Sequence, residues 1–272
     1  KDFVKYGDVV YTGKSRKSVL FKGGAYIFQN NDSDILGVCH LDYIDIPYHF
    51  DVANLGGKTV FCPRLDDRLG VYLLLDVLPG LVGYPYDILL TTGEELGRSS
   101  ALYFESPRVY NWIFELDRRG CDCVTYGLDS REFRAALGTA GWSISRGSFS
   151  DICLLDTQAC AVNLGVGYRQ EHTRLCHAFV DDVIKQVGKI AKFYNANFWT
   201  PYVQQAGYKI ASYGRGYDWG AWSHYDDVRA GEVDDVQESG FCEFCGCNLL
   251  GDMPYYIDGA AICQSCYNYL NI

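Results

Sequence analysis

His40, Asp66, Glu95, Asp117 and His172 are two imidazoles and three carboxylates, each falling where a strand or helix is expected to begin or end. Nitrogen and oxygen donors of this kind suit a pair of divalent cations such as zinc. Glu94 stands beside Glu95 in the run TTGEEL. A carboxylate next to such a pair but not coordinating it is the general base that a water-activating hydrolase needs. Singly, each residue has a plainer reading. A lone His after a strand is structural or solvated, a Glu-Glu pair is a surface turn, Asp66-Asp67 is a helix cap, and an Asp ending a strand is a turn residue. Their order, short spacings and shared placement at element ends make them one candidate site.

The elements that must position these groups follow from periodicity. Residues 25–29, 34–40, 58–62, 86–92, 111–117 and 160–166 read as strands, with a shorter one in CDCVTY. Asp66 opens an apolar helix that Pro79 and Gly80 stop, and a further helix is expected over 98–104. Ser130 caps REFRAAL, with Gly138 closing that helix. Residues 179–198 carry apolar positions at helical spacing. Alternating strands and helices predict an α/β fold, a mixed, mostly parallel central sheet flanked by helices. In such sheets ligands collect beyond the carboxyl ends of the strands, where His40, Glu95, Asp117 and His172 fall.

At 272 residues and 48% apolar content, the chain can form one sizeable domain and a small module. A net charge of −10 argues against a nucleic-acid partner. No apolar run approaches the roughly 18 residues of a membrane span, and KDFVKYGDVVYTG lacks the apolar core of a secretory signal. Of the 12 cysteines, Cys39 and Cys153 lie in apolar runs and read as buried free thiols, which fits a reducing cytoplasm. The expected organisation is a catalytic domain over 1–200, a Gly/Tyr/Asp-rich connector over 201–240 and a module over 241–272.

In that module Cys242-x2-Cys245 and Cys263-x2-Cys266 are separated by 17 residues. Four thiolates in two such knuckles match a closed tetrahedral zinc site, and so small a segment depends on the metal for folding. It resembles a zinc ribbon, with Cys247 as a spectator. The module contains no Lys, Arg or His, so contact with a protein partner or self-association is expected rather than phosphate binding.

Over roughly residues 30–185 the motifs His40-Leu41-Asp42, Leu65-Asp66-Asp67-Arg68-Leu69-Gly70, Gly93-Glu94-Glu95, Glu115-Leu116-Asp117 and Gly167 to Thr173 resemble the di-zinc exopeptidase superfamily. The resemblance implies that Asp66 bridges two catalytic zinc ions, for which Co2+ or Mn2+ can substitute. It places His40 on one metal and His172 on the second, with Glu95 and Asp117 as terminal carboxylates, one to each. It makes Glu94 the base and Asp42 the carboxylate that orients the His40 ring. Asp67 is then a supporting neighbour. The implied substrate is a peptide or small amide. Three functions remain open: an aminopeptidase-like exopeptidase, an N-acyl amino acid amidohydrolase, and a non-catalytic scaffold that binds a protein through the ribbon.

The chain departs from the family in three ways, one of them a small core with which pared-down substrate-pocket loops are expected. Only 25 residues separate His40 from Asp66, too few for a large inserted domain, and Arg174-Leu175-Cys176 follows Thr173 where an acidic residue is common. Ser148 to Asp151 reads equally as a pocket segment or as a helix cap. Of the remaining histidines, His49, His177 and His224, a structural role is expected for His177.

Overall fold

The computed structural model describes residues 8–12, 16–21, 24–44, 53–55, 58–205, 255–257 and 260–262. Cys242, Cys245, Cys247, Cys263, Cys266, His49, His224 and all of the connector beyond residue 205 lie outside the described residues. The chain divides into two units, Lys1–Arg215 and Gly216–Ile272.

The first unit is built on two sheets. In chain order the strands are β1 (Asp8–Thr12), β2 (Arg16–Phe21), β3 (Gly24–Gln29), β4 (Ile35–His40), β5 (Ala53–Leu55), β6 (Thr59–Phe61), β7 (Asp87–Thr91), β8 (Trp112–Arg118), β9 (Cys123–Val124), β10 (Cys160–Gly165), β11 (Tyr168–Arg169) and β12 (His177–Phe179). The larger sheet has eight strands in the order β1-β2-β3-β7-β4-β8-β10-β9. Its centre, β7-β4-β8-β10, is parallel, and antiparallel strands extend it at both edges. β4 and β7 are buried along their whole length, as a parallel core requires. The smaller sheet, β11-β12-β6-β5, is antiparallel throughout.

Side chains alternate across the central strands, so the large sheet has two cores. On one face Ile35, Trp112, Phe114, Cys160 and Val162 pack with residues of three helices, α1 (Leu65–Tyr72), α2 (Arg131–Thr139) and α3 (Val180–Asn197) or their continuations. Trp112 anchors this face through edge contacts to Phe193 and Tyr194 at 5.2 and 5.8 Å. On the other face Leu36, Val38, Ile113 and Ala161 pack with Tyr26, Phe28, Phe104 and Ile152. No helix among the described residues is long and apolar enough to cross a membrane.

Three local expectations change. Residues 98–104 form only a single 3-10 turn, Ser100–Tyr103, because Ser99 caps it late and Phe104 is already extended. Gly138 lies inside α2, and Gly141 ends that helix in the left-handed region (φ +88°). There Gly141 N donates to Gly138 O (3.0 Å) and Trp142 N to Leu137 O (3.1 Å), a Schellman closure. The strands β1 and β2 had no clear signal in the sequence pattern. Among the expected free thiols, Cys39 is buried and Cys153 is half-buried; neither is in a disulfide.

In the second unit the strands β13 (Tyr255–Ile257) and β14 (Ala260–Ile262) form an antiparallel hairpin, Tyr255 opposite Ile262. In sequence it lies between the two cysteine knuckles.

The Ser130 side chain accepts from Phe133 N at 3.2 Å at the start of α2. Replacing it with Ala removes the only side-chain partner recorded for that amide and is expected to cost about 1 kcal/mol. A lowered midpoint in urea unfolding with an unchanged slope is the check.

Candidate metal centre

Parallel strands end on a common edge, and that edge collects three of the proposed donors. His40 is the last residue of β4 and pairs with Thr91 of β7, while Asp117 lies near the end of β8. Glu94 and Glu95 follow β7 in a tight turn that opens on Gly93 (φ +83°). A side chain at 93 would meet Arg98 O at 2.7 Å, so the turn requires glycine.

The small sheet delivers the other two donors. β6 leads into α1, which carries Asp66 and Asp67 in non-helical conformation before regular helix begins, joined by a cis peptide. Asp67 Oδ2 accepts from His40 N at 3.2 Å and its Oδ1 from Gly70 N at 3.1 Å. Those bonds clamp the helix start to the end of β4. Gly70 is needed for the approach, since a Cβ there would stand 2.4 Å from Leu116 O. His172 lies in the connection from β11 to β12, with φ +61° and a side chain 42% exposed.

All five donors meet. The Asp66 carboxylate lies between the two imidazoles, with Oδ1 3.0 Å from His40 Nε2 and Oδ2 3.2 Å from His172 Nε2. Asp117 Oδ1 is 3.3 Å from the same His40 nitrogen, and Glu95 Oε2 is 2.9 Å from the same His172 nitrogen. Donor atoms each roughly 2.0–2.1 Å from a tetrahedral zinc stand about 3.3 Å apart. The observed spacings are ones that donors able to hold a divalent cation would show. His40, Asp66 and Glu95 offer donors within 4.8 Å of one another, as do His40, Asp67 and Asp117. Asp67, however, is engaged by two backbone amides, which makes it a tie rather than a free donor.

The charge balance points the same way. Asp66, Asp67, Glu94, Glu95, Glu115, Asp117 and Asp151 crowd this region, and among the described residues no Arg or Lys forms an ion pair with any of them. Their recorded cationic partners are His40 and His172. Burial, the Asp117 charge and the charges of Asp151 and Glu95 push Glu94 up to about 9. Burial and the Asp66 charge push Asp117 up to about 7. Burial would raise Asp66, but hydrogen bonds from both histidines hold it low. Burial opposes protonation of His40, yet Asp117 and its other carboxylate neighbours raise it well above the ordinary value. Hydrogen bonds to Asp66 and Glu95 raise His172 to about 10. A buried excess of carboxylates is stable only when positive charge joins it, as protons or as cations.

Asp42 departs from its expected role in one detail. The His40 Nδ1 lies 3.0 Å from the Asp42 backbone carbonyl, while the carboxylate stands 3.6 Å away. Asp42 Oδ2 instead accepts from Glu95 N at 3.2 Å. Asp42 thus orients one donor through its main chain and another through its side chain. Ser150 and Asp151 are fully buried. The Ser150 hydroxyl contacts Glu115, Asp151 N donates to Glu115 Oε1 (3.2 Å), and the Thr91 hydroxyl contacts the Asp151 carboxylate. Ser150 also precedes a 3-10 turn, Asp151–Leu154, but its side chain makes no capping bond there. His177 is buried, stacked 5.4 Å from Phe61, away from the donors' contacts. Sequence reasoning missed Tyr168, Asn163 and Thr91, whose polar atoms reach this region only through tertiary contact.

No protein-family model matches the sequence, and no curated protein matches it. Among solved structures, the chain is similar to the aminopeptidase PepT from Bacillus cereus, at 12% identity over 63% of this chain and 83% of that one, TM-score 0.44. It is similar to the Pyrococcus horikoshii TET1 peptidase at 15% identity, over 69% and 89% of the two chains, TM-score 0.47. A tripeptidase from Staphylococcus aureus is similar at 10% identity, over 64% and 84%, TM-score 0.48.

Carboxylate neighbours shift both imidazoles toward the protonated form, His172 to about 10. Cation binding there is expected to release protons, with apparent affinity climbing as pH rises toward about 10, the His172 value. Isothermal titration with Zn2+ in buffers of different ionisation enthalpy counts those protons; release of none would remove the histidines from the donor set. In chelated protein the sign is opposite. The stabilisation from protonated His172 is complete below pH about 6.5 and is lost as pH rises through its folded value.

Proposed function

We propose that this chain is a metal-dependent amide hydrolase, an aminopeptidase-like exopeptidase of short peptides. His40, Asp66 and Asp117 hold one divalent cation, and Asp66, Glu95 and His172 hold the other. The reading rests above all on one observation: the single Asp66 carboxylate lies between both imidazoles. Glu94, which feels the charges of Asp117, His40 and Glu95, is in neither donor set.

When bound, the two cations acidify water and polarise the scissile carbonyl. The rest of the chemistry belongs to the chain. Asp66 keeps the two donor sets together, and Asp67 fixes the start of α1 against the end of β4. Glu94 is pushed upward by burial first and then by the charges of Asp117, Asp151 and Glu95. With cations bound there the charge part of that push would be removed, and the Glu94 carboxylate would take a proton from the attacking water and return it to the leaving nitrogen. Leu41 and Leu96 directly follow donor residues and are exposed, offering apolar surface to a substrate side chain. The same reading assigns a structural zinc to Cys242, Cys245, Cys263 and Cys266.

Metal analysis is expected to return three zinc per chain, of which a chelator removes two readily. Glu94→Gln should retain all three yet lower turnover about 100-fold or more. Wild-type turnover in that variant would refute the assigned base. Aminoacyl, C-terminal and N-acyl amino acid substrates assayed side by side separate the exopeptidase from the amidohydrolase. Absence of hydrolysis on all three, with both cations bound, would leave the scaffold.

A further inference from the structure

Tyr168 begins β11 and is 2% exposed, with its ring inside the helix-covered core. A phenol so deeply buried needs a hydrogen-bond partner, and its hydroxyl donates to Asp117 Oδ1 at 3.2 Å. That oxygen is the same atom that stands 3.3 Å from His40 Nε2. The main chain fixes the phenol relative to this acid. Gly120 N donates to Tyr168 O at 2.8 Å, and Gly167 N donates to Gly120 O at 2.9 Å. The segment that follows Asp117 is therefore laced to the segment that carries Tyr168. Asn163 Nδ2 holds the Asp117 backbone carbonyl at 2.6 Å. One side chain thus fixes the main chain of Asp117, and Tyr168 aims its carboxylate. The Glu95 carboxylate has its recorded hydrogen bond with His172, and the Glu95 backbone N donates to Asp42 Oδ2, so the phenol touches one donor set only.

We propose that Tyr168 is a positioning residue for the cation held by His40, Asp66 and Asp117, acting by fixing the rotamer of Asp117. This rests on the reading of Asp117 as a metal ligand. An acidic side chain at a strand end otherwise spends part of its time turned away from its partner. Partners that orient a ligand are worth about 10–100-fold in metal affinity.

The test uses the full chain, stripped with a chelator and titrated with Zn2+ and Co2+. In Y168F, which keeps the ring and its packing, one of the two catalytic-site cations is expected to bind about tenfold more weakly. The other should bind as in the wild type. The Co2+ visible spectrum should change for the affected position alone. In a D117A background the same substitution should add no further loss, because the hydroxyl then has nothing to aim. Unchanged affinity for both cations, equal weakening of both, or an additive loss in the D117A background would each overturn the proposal. A wild-type chain that binds no cation at this centre would overturn the metal reading and the proposal together.

Discussion

The Asp66 carboxylate between two imidazoles is the contact on which the rest of the site depends. His40 and His172 lie far apart along the chain, yet each places Nε2 within 3.2 Å of a different oxygen of that group. Such an arrangement gathers negative charge where water is scarce. Burial first, and then each further carboxylate drawn in, raises the cost of ionising these groups, so Glu94, Glu115 and Asp117 are all displaced upward. The fold offsets part of that cost with backbone amides. His40 N and Gly70 N point at Asp67, Glu95 N at Asp42, and Asp151 N at Glu115. Positive charge has to supply the remainder.

The two-sheet architecture follows from this requirement. Neighbouring parallel strands finish on one edge, so β4, β7 and β8 can bring His40, the Glu94-Glu95 turn and Asp117 to one place. A single edge presents its groups from one side. The antiparallel sheet supplies the facing side, because β6 feeds Asp66 into α1 and the β11–β12 connection carries His172. Glycines at 70 and 93 let the two halves close, since a Cβ at either would collide with backbone. The aromatic core around Trp112, Phe114 and Tyr194 holds β8 rigid beneath its acid.

The two donor sets differ in their surroundings. The His40 side is buried and braced by Tyr168 and Asn163. His172 stands on an exposed connection with left-handed backbone at Gln170 and His172. The two histidines therefore differ in solvent access, the His40 side chain buried and that of His172 exposed.

The sequence by itself determined the donor types, their order and the central strands, because the buried runs ILGVCH and DILLT can be little else. It also determined that the helix after Asp66 begins at an acidic pair, whereas the need for Gly70 comes from the tertiary approach of Leu116 O. Only the tertiary structure decided that Asp67 is occupied by amides while Asp66 is free to be shared, since adjacent identical residues differ only in what the fold aims at them. The Asp42 carbonyl in place of its carboxylate, the Tyr168 hydroxyl on Asp117, and the Thr91 and Ser150 hydroxyls on Asp151 and Glu115 were likewise invisible along the chain. Strand and helix patterns record which face is apolar over a few residues. Hydrogen bonds such as Tyr168 to Asp117, 51 positions apart, and Thr91 to Asp151, 60 apart, are set by how the sheets pack, and no local period encodes that.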